Sequence, residues 1–205
     1  MNMDPEYDFM HIVSLGYNCE IANSIIAMRA RDATYPFDWN FSKMWKINET
    51  MKLRFSNFFL QENLIKSKYK KNPAREKDNG FIYVHDGSYF ILSQDITEYA
   101  KVKEKYNRRI TRLLDLLDTG KSILFIRLLY DDKIDEHFDF VNILNNIYPN
   151  CKFHLLVFCI NEKPISVEND KIEYISGVSI DRFSICNFLK TKYKLPYHAY
   201  EKKEY

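Results

Sequence analysis

The chain has 205 residues, of which 30 are basic and 28 acidic, giving a net charge of +2. This balance supplies no electrostatic reason to bind nucleic acid or an anionic membrane, and we expect neither as a partner. Hydrophobic residues make up 46% of the chain and only 5 residues are glycine, which excludes disordered and collagen-like classes. The length predicts a single α/β domain, with residues 1–9 and 196–205 as tails.

The four cysteines, Cys19, Cys151, Cys159 and Cys186, form no CxxC pair, so no zinc site is predicted. No phosphate-binding or dinucleotide-binding glycine motif occurs, and we expect neither a metal nor a cofactor. No apolar run approaches the roughly 18 residues of a membrane-spanning helix, and no signal peptide opens the chain. These features predict a cytoplasmic protein whose thiols are reduced and whose last three cysteines are buried.

The first predicted element is a buried strand over residues 11–15, which ends at Gly16 and leads to Cys19 and a helix over residues 20–29. A strand, a glycine turn and a helix present reactive side chains at the carboxyl edge of many α/β sheets. A cysteine at a helix amino terminus is favoured as the thiolate, so we predict Cys19 as a nucleophile. The backbone N–H groups of the turn from Gly16 to Cys19, which includes Asn18, are candidates for an oxyanion hole. The alternative is a small buried residue that closes the turn.

The next segment, residues 35–39, reads Tyr-Pro-Phe-Asp-Trp and breaks the helical pattern, because proline disfavours helix at the residue before it. Three aromatic residues around one carboxylate predict a packed loop. A buried Asp38 needs a partner, so we expect it to orient a histidine or to pair with Arg127 or an arginine of the long helix. Trp39 is a candidate wall of the substrate site.

Three elements are predicted between this loop and the long helix. Residues 42–59 have a helical pattern with Trp45 facing inward, and the polar residues 62–80 are predicted to form an exposed loop. Residues 81–84 and 89–93 are predicted as the two strands of a small hairpin.

The turn of that hairpin contains His85 and Asp86. An imidazole beside a thiol is the usual general base for a cysteine nucleophile, so we predict that His85 has this role. The alternative is a surface histidine in a turn. Asp86 competes with Asp38 for orienting the imidazole, and His198 is a rival base. Another histidine, His137, is expected to be exposed on a helix.

The rest of the chain alternates between helices and strands. Helices are predicted over residues 95–117, 135–147 and 180–192, and strands over residues 122–129, 153–160 and 172–176. Such alternation is typical of βαβ crossovers and a parallel sheet covered on both faces. We therefore predict a three-layer α/β sandwich with a mostly parallel central sheet, either Rossmann-like or SGNH-like.

Two arginines are candidates for binding an anion. Arg109 lies on the predicted long helix, and Arg127 ends the apolar strand at the edge where open α/β sheets bind ligands. A guanidinium group holds carboxylate or phosphate through two parallel hydrogen bonds. The alternative for Arg127 is to neutralise Asp38.

Five motifs in one order carry a resemblance to a known family. They are SLGYNC at residues 14–19, YPFDW at 35–39, VHD at 84–86, YNRRI at 106–110 and ILFIR at 123–127. Over residues 11–130 the chain resembles a papain-like cysteine peptidase family, long catalogued as a domain of unknown function, with bacterial and large-DNA-virus members. The resemblance implies a cysteine nucleophile at Cys19 and a histidine at His85.

The family name and the periodicity predict different folds. Papain-like folds pair a helical lobe with an antiparallel barrel, whereas this chain alternates strands and helices. Its opening block is similar to that of SGNH esterases, with cysteine in place of serine. We follow the periodicity for the fold and the resemblance for the site.

These observations favour a cysteine-dependent hydrolase or acyl transferase that acts on a peptide, acyl or glycan-linked substrate. The alternative is a non-catalytic binding module in which Arg127, Asp38 and His85 hold an anionic ligand. The richness in Asn, Lys, Ile and Tyr agrees with a viral or bacterial source of low GC content, and a viral protein would act in the host cytoplasm. The sequence leaves the oligomeric state open.

Overall fold

The structure, a computed structural model, describes residues 11–68, 73–86, 96–160 and 165–193. In these residues the strands are β1 His11–Ser14, β2 Phe41–Ser42, β3 Leu64–Lys66, β4 Ala74–Glu76, β5 Phe81–Tyr83, β6 Ser122–Leu129, β7 Lys152–Cys159 and β8 Ile172–Ile175. The helices are α1 Glu20–Ala27, α2 Met44–Lys52, α3 Ile96–Asp118, α4 Ile134–Ile147 and α5 Arg182–Lys192. The predicted tails and His198 lie outside the described residues.

Four strands form a parallel sheet in the order β1-β6-β7-β8. β6 pairs with β1 from Ile123 opposite His11 to Ile126 opposite Ser14, and with β7 along its whole length. Parallel neighbours need a crossover connection, and α4 supplies the one between β6 and β7. The predicted alternation of strands and helices and the parallel sheet are therefore confirmed.

The side chains of this sheet alternate between two apolar clusters. Ile12 and Leu124 pack with residues of α1 and α5. Val13 and Phe125, one position further along each strand, pack with residues of α2, α3 and α4. Because both faces are covered, the six central residues of β6 are all buried, as the continuous apolar run predicts.

The prediction that residues 62–80 form an exposed loop is wrong. β3 and β4 lie in this segment and belong to an antiparallel sheet in the order β2-β5-β4-β3. The inner face of β4 carries a buried carboxylate, Glu76, which accepts a hydrogen bond from the Tyr83 hydroxyl at 2.7 Å and lies 3.4 Å from Lys46 Nζ. The charged sequence Ala-Arg-Glu of β4 did not indicate a buried strand, because its burial depends on these two distant partners.

Residues 81–83 of the predicted hairpin form β5, which pairs with β4 on one edge and with β2 on the other. Residues 87–95 themselves lie outside the described part of the chain.

The predicted helix over residues 42–59 is too long. α2 ends at Lys52, and positive φ angles at Arg54, Phe55 and Phe59 exclude a continuing helix. Trp45 is 40% exposed, against the expectation that it faces inward, whereas Phe55 is buried.

The other four helices lie within two residues of their predicted bounds. None of the described helices combines the length and the hydropathy needed to cross a lipid bilayer.

Arg127, at the carboxyl end of β6, connects the two sheets. Its Nε and Nη2 donate to the two carboxylate oxygens of Asp132, each at 2.7 Å. Its Nη1 donates to the Leu15 carbonyl at 2.9 Å and to Ser42 Oγ at 3.0 Å, and Nη2 donates to the Ser42 carbonyl at 2.8 Å. The side chain is fully buried, and all five of its N–H donors are used within the chain.

The turn after β1 packs against residues 37–42, which begin within the YPFDW motif. Gly16 has a φ of +75°, and a Cβ at this position would lie 2.6 Å from Ser42 Oγ and 2.8 Å from the Phe37 carbonyl oxygen. Glycine alone meets both the conformation and the space. The turn that leads to Cys19 is thereby fixed against residues 37–42.

We predict that Gly16→Ala destabilises the fold by about 2–5 kcal/mol, through a left-handed backbone and a steric clash. Gly177→Ala is the matched control, because Gly177 has a φ of +77° but nothing lies within 4 Å of its ideal Cβ. The control should lose only about 1–2 kcal/mol. Urea denaturation followed by circular dichroism measures both, and equal losses would contradict the close seating of the turn.

A second prediction concerns acid stability. Burial alone would raise the pKa of Asp132, but hydrogen bonds from His137 and Arg127 outweigh it and lower this pKa to about 2. The folded-state pKa is thus below the unfolded value, so the carboxylate stabilises the fold above about pH 4 and this contribution disappears as the pH falls toward 2. The loss is on the order of 2–3 kcal/mol.

Asp132→Asn should therefore be less stable than the wild type at neutral pH and should lose less stability between about pH 4 and 2. Asp131→Asn is the control, since this neighbour is exposed and pairs with Lys43. Urea midpoints measured across this pH range provide the comparison. A wild-type slope in Asp132→Asn would show that another carboxylate governs the acid transition.

Candidate active site

Cys19 is the residue before α1, and its side chain is half-buried. No hydrogen bond of this thiol to another described residue occurs. The other three cysteines are buried as predicted. Burial raises the pKa of Cys151 to about 12 and also raises those of Cys159 and Cys186. Cys19 is therefore the thiol that reagents and substrates reach most readily.

The turn before Cys19 supplies fewer free N–H groups than predicted. The Gly16 N–H donates to Ser14 Oγ at 3.1 Å, and the Tyr17 N–H donates to Ser42 Oγ at 2.9 Å. The Gly16 N–H thus has a structural role in this conformation and is not available to donate to an oxyanion. The N–H groups of Asn18 and Cys19 have no hydrogen-bond partner among the described residues. These two are the remaining candidates for the oxyanion hole.

Asn18 also shapes the start of α1. Its Oδ1 accepts a hydrogen bond from the Glu20 N–H at 2.9 Å, which satisfies one donor of the first helical turn. This contact holds the side chain of Asn18 against the helix.

Asp38 is buried, as predicted, but its partner is Arg31. Asp38 Oδ2 lies 2.5 Å from Arg31 Nη2 and accepts a hydrogen bond from the Tyr35 N–H at 2.9 Å. Burial raises the pKa of Asp38 to about 6, against the lowering effect of the Arg31 charge. The expected pairing with Arg127 does not occur, because Arg127 is fully used by Asp132, Leu15 and Ser42.

Trp39 lies between Arg31 and His85. The Arg31 guanidinium is 5.3 Å from the centre of the Trp39 ring, and the His85 ring contacts the same indole edge-to-face with centroids 5.7 Å apart. Asp38 is thereby connected to His85 through Arg31 and Trp39. Sequence reasoning did not predict that Arg31 pairs with Asp38. The signal that could have indicated this pair is a basic residue a few positions before a carboxylate in an aromatic loop.

Asp86 holds the turn of His85 against α3. Its carboxylate pairs with Lys105 and accepts a hydrogen bond from the Tyr106 hydroxyl at 3.0 Å. Burial raises the pKa of Tyr106, and the Asp86 charge raises it further. The side chain of Asp86 therefore contacts α3. His85 is exposed, and Asp86 supports it only through the backbone of the turn that they share.

Of the two candidate anion-binding arginines, Arg109 has the more available guanidinium. It lies 5.3 Å from the centre of the Tyr106 ring, and its Nη1 is buried with no hydrogen-bond partner among the described residues. Its charge lowers the pKa of Asp38, which places it near that carboxylate, although burial remains the larger effect. Arg127 has no donor left for a ligand in this conformation.

The remaining described histidines have other partners. His137 is fully buried, against the expectation that it is exposed; its Nδ1 lies 2.8 Å from the Tyr174 hydroxyl and its Nε2 lies 3.5 Å from Asp132. His11 pairs with Asp32, and His154 Nε2 lies 3.8 Å from Glu173. In residues 11–68, 73–86, 96–160 and 165–193, no three His, Cys, Asp or Glu side chains are grouped to hold a metal ion.

The structure thus brings the Cys19 turn against residues 37–42 and places His85 on Trp39 of that segment. No hydrogen bond joins Cys19 to His85 in this conformation.

Comparison with known proteins identifies the family. Residues 10–161 match the family described as "Putative papain-like cysteine peptidase". An uncharacterized protein of Acanthamoeba polyphaga mimivirus is 29% identical over 134 residues, in an alignment that covers 56% of this chain and 60% of the relative. The chain thus spans less than two thirds of that relative's length. No solved structure matches the chain significantly. Because the family match takes in most of the chain, including Cys19, Asp38 and His85, the chain belongs to the family described as "Putative papain-like cysteine peptidase".

Proposed function

We propose that the protein is a cysteine-dependent hydrolase or acyl transferase, with Cys19 as the nucleophile and His85 as the general base. One observation carries the proposal: the half-exposed thiol lies on a turn fixed against the segment whose Trp39 contacts His85. Family membership agrees with this assignment. Catalytic hydrogen bonds are often long or absent without substrate, so the Cys19–His85 contact is expected to form when a substrate binds.

The reaction follows from these groups. His85 accepts the thiol proton, and the Cys19 sulfur attacks the carbonyl carbon of the substrate, forming a C–S bond. The N–H groups of Asn18 and Cys19 donate to the developing oxyanion. When the intermediate collapses, the C–O or C–N bond breaks and His85 returns the proton to the leaving group. Water then attacks the thioester carbon and transfers a proton to His85. The C–S bond breaks, the acid is released, and His85 returns the proton to the Cys19 sulfur.

Three further residues position the base in this proposal. Trp39 holds the imidazole, Asp38 fixes Arg31 against the same indole, and Asp86 anchors the turn to α3. Asp38 is accordingly a positioning residue that acts on His85 through two intermediate side chains.

We further propose a three-layer α/β sandwich whose opening block is SGNH-like. The support is the division of the parallel-sheet side chains into a cluster with α1 and α5 and another with α2, α3 and α4. Four free cysteines favour a reducing compartment such as the cytoplasm.

A second candidate function is the binding of an anionic ligand without catalysis. The buried, unpartnered Nη1 of Arg109 beside Asp38 and Tyr106 favours it, since such a donor gains a hydrogen bond when an anion arrives. Acetate- or phosphate-dependent thermal stabilisation that is lost in Arg109→Met, together with an unreactive Cys19, would support this function instead.

The proposed hydrolase is tested with p-nitrophenyl acetate. The wild type should release p-nitrophenolate in a burst of about one equivalent per chain and gain one acetyl group on Cys19, located by mass spectrometry. Cys19→Ala should show neither, whereas Cys186→Ala, which removes a buried thiol, should behave as the wild type. Acetylation of Cys19→Ala at the wild-type rate would refute the proposal.

The base is tested with His85→Gln. Acylation should slow by about 100-fold or more near neutral pH and recover toward the wild-type rate at about pH 9.5, where hydroxide replaces the base. Stopped-flow release of p-nitrophenolate measures this profile. An unchanged rate at neutral pH would exclude His85 as the base.

Trp39 is predicted to position His85. Trp39→Ala should slow acylation roughly 10- to 100-fold at neutral pH, and the deficit should shrink at high pH as in His85→Gln. Trp39→Phe keeps a ring beside the imidazole and should retain most of the wild-type rate. A deficit that is the same at every pH would indicate a purely structural role for the indole.

A further inference from the structure

A cavity of about 90 Å³ lies beside the Cys19 turn. Its apolar walls are Tyr17, Phe41 and Ile82, and its polar walls include Ser42, Lys43 and Asn79. Tyr17 precedes Cys19 by two residues, so their Cα atoms are at most about 7 Å apart. The cavity therefore lies against the turn that carries the thiol.

The backbone directs Tyr17 toward this cavity at an energetic cost. Tyr17 has a φ of 71°, which a non-glycine residue adopts at a cost of about 1–2 kcal/mol. Its ring stacks on Tyr130 with centroids 4.7 Å apart and meets Phe41 edge-to-face at 6.0 Å. Strain held by surrounding contacts is common at ligand sites. In this turn the strained backbone of Tyr17, between Gly16 and Cys19 in the chain, places its ring at the wall of the cavity.

The polar walls already have partners within the chain. Lys43 pairs with Asp131, and Ser42 Oγ donates to the Leu15 carbonyl at 3.0 Å while it accepts from Arg127. Asn79 Oδ1 accepts a hydrogen bond from Arg75. We therefore consider ligand contacts with the apolar side chains, Tyr17, Phe41 and Ile82.

The volume limits the size of the occupant. A dry protein cavity of about 150 Å³ holds benzene, which has six carbons, so 90 Å³ holds about four carbons. We propose that this cavity receives the acyl chain of the substrate and selects a short aliphatic group of about four carbons beyond the carbonyl. The inference rests on the proposed function, because it needs Cys19 to attack that carbonyl.

The experiment compares p-nitrophenyl esters of acetate, 3-methylbutanoate and octanoate, which share one leaving group. Each kcat/KM is divided by the rate of the same ester with N-acetylcysteine, which removes differences in intrinsic reactivity. Each buried methylene changes binding about fourfold, so the corrected kcat/KM for 3-methylbutanoate should exceed that for acetate roughly 10- to 60-fold. Octanoate, which overfills the cavity, should fall below 3-methylbutanoate.

Variants of Ile82 test the location of the selectivity. Ile82→Phe fills the cavity and should abolish the preference for 3-methylbutanoate over acetate. Ile82→Ala enlarges it and should shift the preference toward octanoate. The matched control is Ile65→Phe: Ile65 is aligned with Ile82 through Arg75 on the same face of the antiparallel sheet, about 10 Å away across two strands. This control should keep the wild-type preference.

The outcomes separate the two proposals. If no ester acylates Cys19, the proposed function fails. If acetate acylates Cys19 but the corrected rates do not depend on chain length, or if Ile82→Phe and Ile65→Phe behave alike, the cavity is not the acyl site and the hydrolase proposal stands. Melting curves by circular dichroism confirm that each variant is folded before its rates are compared.

Discussion

The structure depends on a buried guanidinium group whose five N–H donors all have acceptors. Arg127 fixes the carboxylate of Asp132, the carbonyl at the end of β1 and both the hydroxyl and the carbonyl of Ser42. An unpaired charge at this depth would be strongly destabilising, so each acceptor has to remain in place. The parallel sheet, the antiparallel sheet and the Cys19 turn are thereby held at one point. The rigidity of the Cys19 turn comes from this network.

The elements predicted correctly are those whose burial follows from local sequence. β6 is a continuous apolar run and needs cover on both faces, and the helices of the second half have regular apolar stripes. β3 and β4 were missed because each has only three residues, β3 is at most half-buried, and two of the three residues of β4 are charged. Glu76 is buried only because Lys46 and Tyr83 approach it from other segments, and the sequence of β4 contains no trace of those contacts.

In the candidate site, too, the features that follow from local sequence were predicted and those that depend on distant contacts were not. The position of Cys19 at a strand–turn–helix junction and the packing of the YPFDW loop were predicted from local patterns. The partners were not, because hydrogen-bond pairing depends on tertiary geometry. Arg127 was placed at the correct sheet edge, yet Ser42, which is 85 residues away in sequence, takes up its donors. Asp38 was expected to orient a histidine or to pair with Arg127 or an arginine of the long helix, but its partner is Arg31, which contacts His85 only through Trp39.

The contact between Arg127 and the Leu15 carbonyl has a consequence for the order of biosynthesis. The two residues are separated by 112 positions, so the thiol leaves the ribosome long before the side chain that fixes its turn. Until Arg127 and Asp132 have been translated, the nascent chain cannot complete the buried network, and Cys19 remains on an unconstrained peptide. In a chain with such a distant contact, the geometry of the Cys19 turn is acquired late, when most of the chain is available to fold.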